Sequence, residues 1–192
     1  MKEIVAAIGI ETTGLDPKRH DVLELAVVPL DAHLQEDASI EPFRARIRAV
    51  RPENAESEAL RLHGLDPLEG EEANKAIVDL RMWAYDWHVS KIVPLAHNVD
   101  FSMSFLLTRV PELRELFVPS AGRDTMRLAS AVNDICERAG AQPPFASLAF
   151  RAVRKAVGLL GDQSHRAFDD AREAAFVYRT LVASLAPTAR MA

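Results

Sequence analysis

Only one cysteine, Cys136, occurs in the 192 residues, so no internal disulfide is available and packing must hold the fold, as suits a reducing compartment. Long apolar runs are missing too. None approaches the roughly 20 residues that cross a bilayer, and the apolar stretch from Ile4 to Ile10 follows Met1 without a basic leader or a small-residue cleavage site. A cytoplasmic protein with no membrane partner is therefore expected. Positive charge is scarce: 23 Lys and Arg against 28 Asp and Glu leave a net charge of −5. That balance excludes global attraction to a polyanion, so any nucleic-acid contact needs a local basic patch or bound metal. Against these absences stand 48% hydrophobic and 27% charged residues, an ordinary globular balance that excludes disordered and fibrous classes. The length fits one domain over 1–186, followed by a short polar tail over 187–192.

Periodicity gives an order of elements. Ile4 to Ile8 is an apolar run closed by the turn-forming Thr13-Gly14-Leu15-Asp16-Pro17, as expected of a buried strand. Val22 to Pro29 and Phe43 to Val50 follow with strand composition, the latter alternating Phe43, Ala45, Ile47 and Ala49 against Arg44, Arg46 and Arg48. From Glu71 the residues Ala73, Ile77, Leu80, Trp83, Ala84 and Trp87 recur at helical spacing, and Ile92 to Ala96 reads as a strand. Helices are expected over Phe101–Val110, Thr125–Ala139 and Phe145–Val157, each stopped by Pro or Gly. A last helix carries the stripe Phe168, Ala171, Ala174, Ala175, Tyr178, Leu181 and Val182. Strands first, then alternating helices and strands, give an α/β sandwich on a mixed sheet.

Three segments concentrate carboxylates, histidines and a Gly-containing turn: Gly9-Ile10-Glu11-Thr12-Thr13-Gly14-Leu15, His97-Asn98-Val99-Asp100-Phe101-Ser102 and His165-Arg166-Ala167-Phe168-Asp169-Asp170. In this order they resemble the DEDDh family of 3′-to-5′ exonucleases, whose motifs are D-x-E-T-T-G-L, H-N-x-x-F-D and H-x-A-x-x-D. That family includes the proofreading subunit of bacterial DNA polymerase III, ribonuclease T and oligoribonuclease. Leu62-His63-Gly64-Leu65, Asp124-Thr125 and Ser147-Leu148 are smaller shared features. The resemblance covers nearly the whole chain and implies a ribonuclease H-like α/β fold, a mixed sheet flanked by helices.

It also implies phosphodiester hydrolysis with two Mg²⁺ or Mn²⁺ ions about 4 Å apart, which activate a water and stabilise the leaving oxygen. Carried over, Glu11 and Asp170 are metal ligands and His165 is the general base. Thr12, Thr13, Gly14, Leu15, His97, Asn98 and Phe101 would grip the 3′-terminal nucleotide. The family's bridging Asp is Gly9 here and its middle Asp is Ser102. Two dications about 4 Å apart repel by roughly 17 kcal/mol at an effective dielectric of about 20, so a site short of two carboxylates is not expected to hold both. One ion, held by Glu11, Asp170 and waters, is compatible with Mg²⁺ chemistry. Asp100 and Asp169 are poor replacements, because a helix turns about 100° per residue and carries them off the ligand face.

Plainer roles are assigned elsewhere. Ser102 is read as an N-cap of the helix after Phe101, Trp83 and Trp87 as core, and Arg44, Arg46 and Arg48 as a solvated face on an exposed strand edge. Three readings of the whole stay open. The chain binds single-stranded nucleic acid or 3′ ends with weak or no hydrolysis; it hydrolyses them through a reduced metal site; or it is a docking module for a protein partner such as a polymerase.

Overall fold

A computed structural model describes residues 1–185; the expected tail over 187–192 lies outside the described residues. β1 (Lys2–Thr12) is the centre of a five-stranded sheet ordered β3-β2-β1-β4-β5, with β2 at Val22–Leu30, β3 at Phe43–Arg46, β4 at Val89–Ala96 and β5 at Arg123–Asp124. β1 to β3 pair antiparallel as consecutive neighbours, whereas β4 runs parallel to β1 and β5 parallel to β4. The mixed sheet is flanked by α1 (Ser57–His63), α2 (Ala73–Asp86), α3 (Val99–Arg109), α4 (Thr125–Arg138), α5 (Phe150–Ala156) and α6 (Ala167–Leu185). This is the expected ribonuclease H-like α/β architecture. No described helix is long and apolar enough to cross a membrane.

β1 is apolar on both faces because both are covered. Ile4, Ala6 and Ile8 pack with Leu25, Val27 and Ile92 against Leu80 of α2 and Met103 and Leu106 of α3. On the other face Ala7, Val28 and Leu95 meet Ala171, Ala174 and Ala175 of α6. Small side chains on both partners let α6 lie close to the sheet, and at Gly9, the next residue of β1 on this face, there is no room for a side chain. A Cβ built there would meet the backbone of Ala167, lying 2.6 Å from its carbonyl carbon and nearer still to its oxygen.

Several boundaries differ from expectation. Pairing of β3 with β2 ends at Arg46, after which Ile47 bridges Glu71 and Arg48 N donates to Glu71 O at 2.8 Å. Helix α5 starts at Phe150 instead of Phe145, because Asn133 of α4 takes both backbone groups of Phe145, at 2.8 and 3.1 Å. Helix α1 carries no clear apolar period in the sequence. It is short, and it stops at Gly64, whose φ of 69° is the left-handed conformation a helix C-terminus favours. Trp83 is core as expected, beside Phe43 with its indole N–H on the Glu41 carbonyl at 2.7 Å.

Candidate functional site

β1 delivers Glu11 to the α6 face, and its pairing with β2 slips between Glu11 and Thr12. An irregularity of this kind redirects the chain where a strand leaves the sheet. The loop before α6 delivers His165, in a left-handed conformation at φ 52°, and the first turn of α6 delivers Asp170. Glu11, His165 and Asp170 line one cleft of about 410 Å³ together with Thr12, Gly14, Leu15, His63, Phe101 and Gln163. Glu56, Glu58 and Leu62 of the segment around α1 close its far side.

The cleft is acidic: Glu11, Glu56, Glu58 and Asp170 line it and no Lys or Arg does. Burial first, then the charges of Asp170 and Glu24, push the Glu11 carboxyl up to about 8, with Arg166 opposing. Burial likewise raises Asp170 to about 6, although Gln163 Nε2 donates to its Oδ2 at 2.7 Å and pulls the other way. Its other oxygen, Oδ1, is buried without a protein partner. Burial and the nearby Arg151 and Arg154 lower His165, so its imidazole is neutral and able to accept a proton at neutral pH.

Two apolar side chains stand at the rim, Leu15 at 75% exposure and Leu62 at 58%, and half-buried Phe101 of α3 lines the same cleft. Exposed leucines at the mouth of an acidic cleft form an apolar rim around a polar floor. His63, noted in the sequence only as part of a small motif, sits under this rim with Nε2 3.2 Å from the Thr12 carbonyl.

Other expected contact residues are engaged in building the walls. Thr13 is fully buried, its hydroxyl accepting from Asp21 N at 2.9 Å. Asn98 is the N-cap of α3, accepting from Phe101 N at 3.3 Å. His97 Nδ1 lies 2.8 Å from Thr125 Oγ1, with its ring against Phe150. Ser102 is therefore no N-cap; it lies inside α3, at 5% exposure. Asp124 ties these walls together, accepting from Val99 N at 2.9 Å and Met126 N at 2.8 Å. Asp100 is on the surface, paired with Arg127, and Asp169 lines other grooves. Among the described residues no three His, Cys, Asp or Glu side chains group as a metal site.

The start of α6 is pinned from the neighbouring strand. Glu24 of β2, the register partner of Glu11, takes an ion pair from Arg166 and accepts from Ala167 N at 3.1 Å. Behind it Arg154 of α5 forks onto Glu173 at 2.6 and 2.7 Å and donates to the Gly161 carbonyl, holding the loop that carries Gln163 and His165. Neither clamp was read from the sequence, since the partners lie 142 and 19 residues apart.

A carboxylate-and-histidine cleft at the end of the central strand of a ribonuclease H-like sheet defines a nuclease-type architecture. Residues 7–178 match the RNase_T family model, described as an exonuclease, and the chain belongs to that family. Exonuclease I from Methylocaldum szegediense superposes with a TM-score of 0.69 at 20% identity, over 96% of this chain and 41% of that one. E. coli exonuclease I in complex with a dA16 oligonucleotide gives 0.65 at 18%, over 97% and 42%. The nuclease domain of 3′hExo, a DEDDh family member bound to rAMP, gives 0.67 at 15%, over 94% and 92%. The chain thus spans about two fifths of the exonuclease I structures. No curated protein sequence matches it.

Proposed function

We propose that this exonuclease-family domain binds the 3′ end of single-stranded nucleic acid in the cleft of Glu11, His165 and Asp170 and hydrolyses it poorly or not at all. The observation that carries the reading is at Gly9. Where a bridging carboxylate would project, the carbonyl of Ala167 fills the space, so the deficit is one of backbone placement as well as of side chain. Ser102, at the second altered position, is neutral and buried in α3. Two dications do not fit these residues, and no hydrolytic step follows from such a pair.

A single Mg²⁺ or Mn²⁺ has a better fit. Glu11 and Asp170 would hold it, the unpartnered Asp170 Oδ1 being a buried acceptor in need of a partner. The ion would supply charge neutralisation at a pair of carboxyl groups whose ionisation is otherwise opposed, Glu11 by burial and the Asp170 charge and Asp170 by burial. This favours a second reading, slow hydrolysis with a neutral His165 accepting the proton of the attacking water. Here Glu11→Gln and His165→Ala should each abolish whatever cleavage wild type shows.

End recognition draws further support from the relatives. One structural neighbour carries a dA16 oligonucleotide, and another is a 3′-exonuclease described as recognising the 3′ end of a histone mRNA stem-loop. The test is a titration of labelled single strands with a free or a phosphate-blocked 3′ terminus. A clear preference for the free 3′-hydroxyl is expected. Equal affinity for both, or no binding of either, removes the end-binding reading and leaves the docking module.

A further inference from the structure

An acidic cleft on a chain of net charge −5 creates a problem for any nucleic acid: a phosphate entering it meets acidic side chains and no Lys or Arg. Compensation must come from next door. The register of the sheet shows where. Glu11 pairs with Glu24, which pairs with Arg46; Gly9 pairs with Ala26, which pairs with Arg44. Residues opposite one another share a face, so Arg44 and Arg46 stand on the same side of the sheet as Glu11, two strands away, about 10 Å at the usual spacing.

Between edge strand β3 and the start of α6 runs a groove of about 470 Å³ lined by Glu24, Arg44, Arg46, Arg166, Phe168 and Asp169. Its charges are not all spent. Arg166 is neutralised by Glu24. Arg46 gives its donors to the carbonyls of Leu23 at 2.8 Å and Asp66 at 2.5 Å, which fix the guanidinium without neutralising it. Arg44 is exposed, with its guanidinium 3.2 Å from the Phe168 ring centre. Among the described residues neither Arg44 nor Arg46 forms an ion pair with a carboxylate. A guanidinium flat on an aromatic ring keeps its in-plane donors available and is ordered before a ligand arrives. By contrast Arg48, two residues beyond β3, pairs with Glu72 at 3.3 Å.

We propose that this groove is a phosphate track, along which the backbone of a single strand runs across the β3 edge while its 3′ end occupies the cleft. Arg44 contacts phosphate directly and Arg46 contributes fixed positive charge. At about 3.4 Å per phosphate in stacked geometry, the track engages a strand within about three nucleotides of the cleft. The proposal rests on the end-binding reading for its direction, and the test separates the two.

The full chain is titrated, without divalent metal, with a fluorescent ten-nucleotide oligothymidylate and with thymidine monophosphate, over a salt series. Arg44→Gln should weaken the ten-mer three- to tenfold at low salt and reduce the slope of log K against log salt by about 0.7, the value for one single-strand phosphate contact. Arg44→Glu should weaken it further, thymidine monophosphate binding should be unchanged, and Arg138→Gln on exposed α4 should have no effect. Equal effects of Arg44→Gln and Arg138→Gln overturn the track. A ten-mer that depends on Arg44 while the monophosphate fails to bind keeps the track and removes the end pocket. No binding of either ligand overturns both.

Discussion

Gly9→Ala is the smallest change that probes the contact on which the functional reading turns. Adding a methyl to glycine inside a strand, where φ is unrestricted by turns, ordinarily stabilises by about 0.4–1 kcal/mol through the unfolded state. Here the new Cβ would lie 2.6 Å from the Ala167 carbonyl carbon, against 3.4 Å for ordinary contact, so the first turn of α6 must retreat by at least the difference. Retreat strains the bond from Ala167 N to Glu24 and the Arg166–Glu24 pair. Overpacking of a close-packed interface costs about 1–3 kcal/mol and weakening a hydrogen bond to a charged group about 1.5–3. The two overlap, since retreat relieves one by incurring the other, and the expected loss is about 2–4 kcal/mol. Urea denaturation followed by circular dichroism reads it as a lower midpoint at unchanged slope. Gly9→Asp should cost more and, even combined with Ser102→Asp, should not restore hydrolysis. A neutral or stabilising Gly9→Ala refutes the close approach, and with it the argument that backbone occupies the bridging position.

Further expectations concern the clamp and the cleft's charge. Glu24→Gln should destabilise by about 2 kcal/mol, because Arg166 and Ala167 N lose a charged acceptor that lies in a mostly buried setting; amide exchange should rise first at the start of α6. The Glu11 carboxyl sits at about 8 in the folded chain against 4.5 ordinarily, so the folded state holds the extra proton. Its contribution to stability is complete below about 4.5 and is lost as pH rises through about 8. At about 1.4 kcal/mol per pH unit the loss has an upper bound of about 5 kcal/mol. Glu11→Gln should therefore raise the melting temperature at pH 8 and flatten its decline from pH 5 to 8; an unchanged pH profile would show that burial does not perturb Glu11.

Much of this was legible in the sequence because it is local. The apolar run of β1, the alanine stripe of α6 and the stops at Pro111 and Gly140 are written in neighbouring residues, and so are the three segments that bring Glu11, Phe101, His165 and Asp170 to one cleft. Tertiary matters were less visible. Nothing near Phe145 announces that Asn133 will capture its backbone and delay α5. Nothing in the spacing of Glu24 and Arg166 announces a clamp across 142 residues. Gly9 was readable as a missing ligand but not as a packing requirement, since the atom it admits belongs to Ala167. Arg44, Arg46 and Arg48 read as one solvated face; the structure sends Arg48 to Glu72, locks Arg46 on carbonyls and lays Arg44 on Phe168.

The most direct test of impaired hydrolysis with preserved recognition is a single-turnover reaction. Excess protein is mixed with a 5′-labelled single strand in Mg²⁺ or Mn²⁺, with bound and cleaved fractions followed in the same samples. The expected result is a strand that is bound yet remains full length or shortens only very slowly. Rapid stepwise shortening from the 3′ end, abolished by Glu11→Gln, would contradict it.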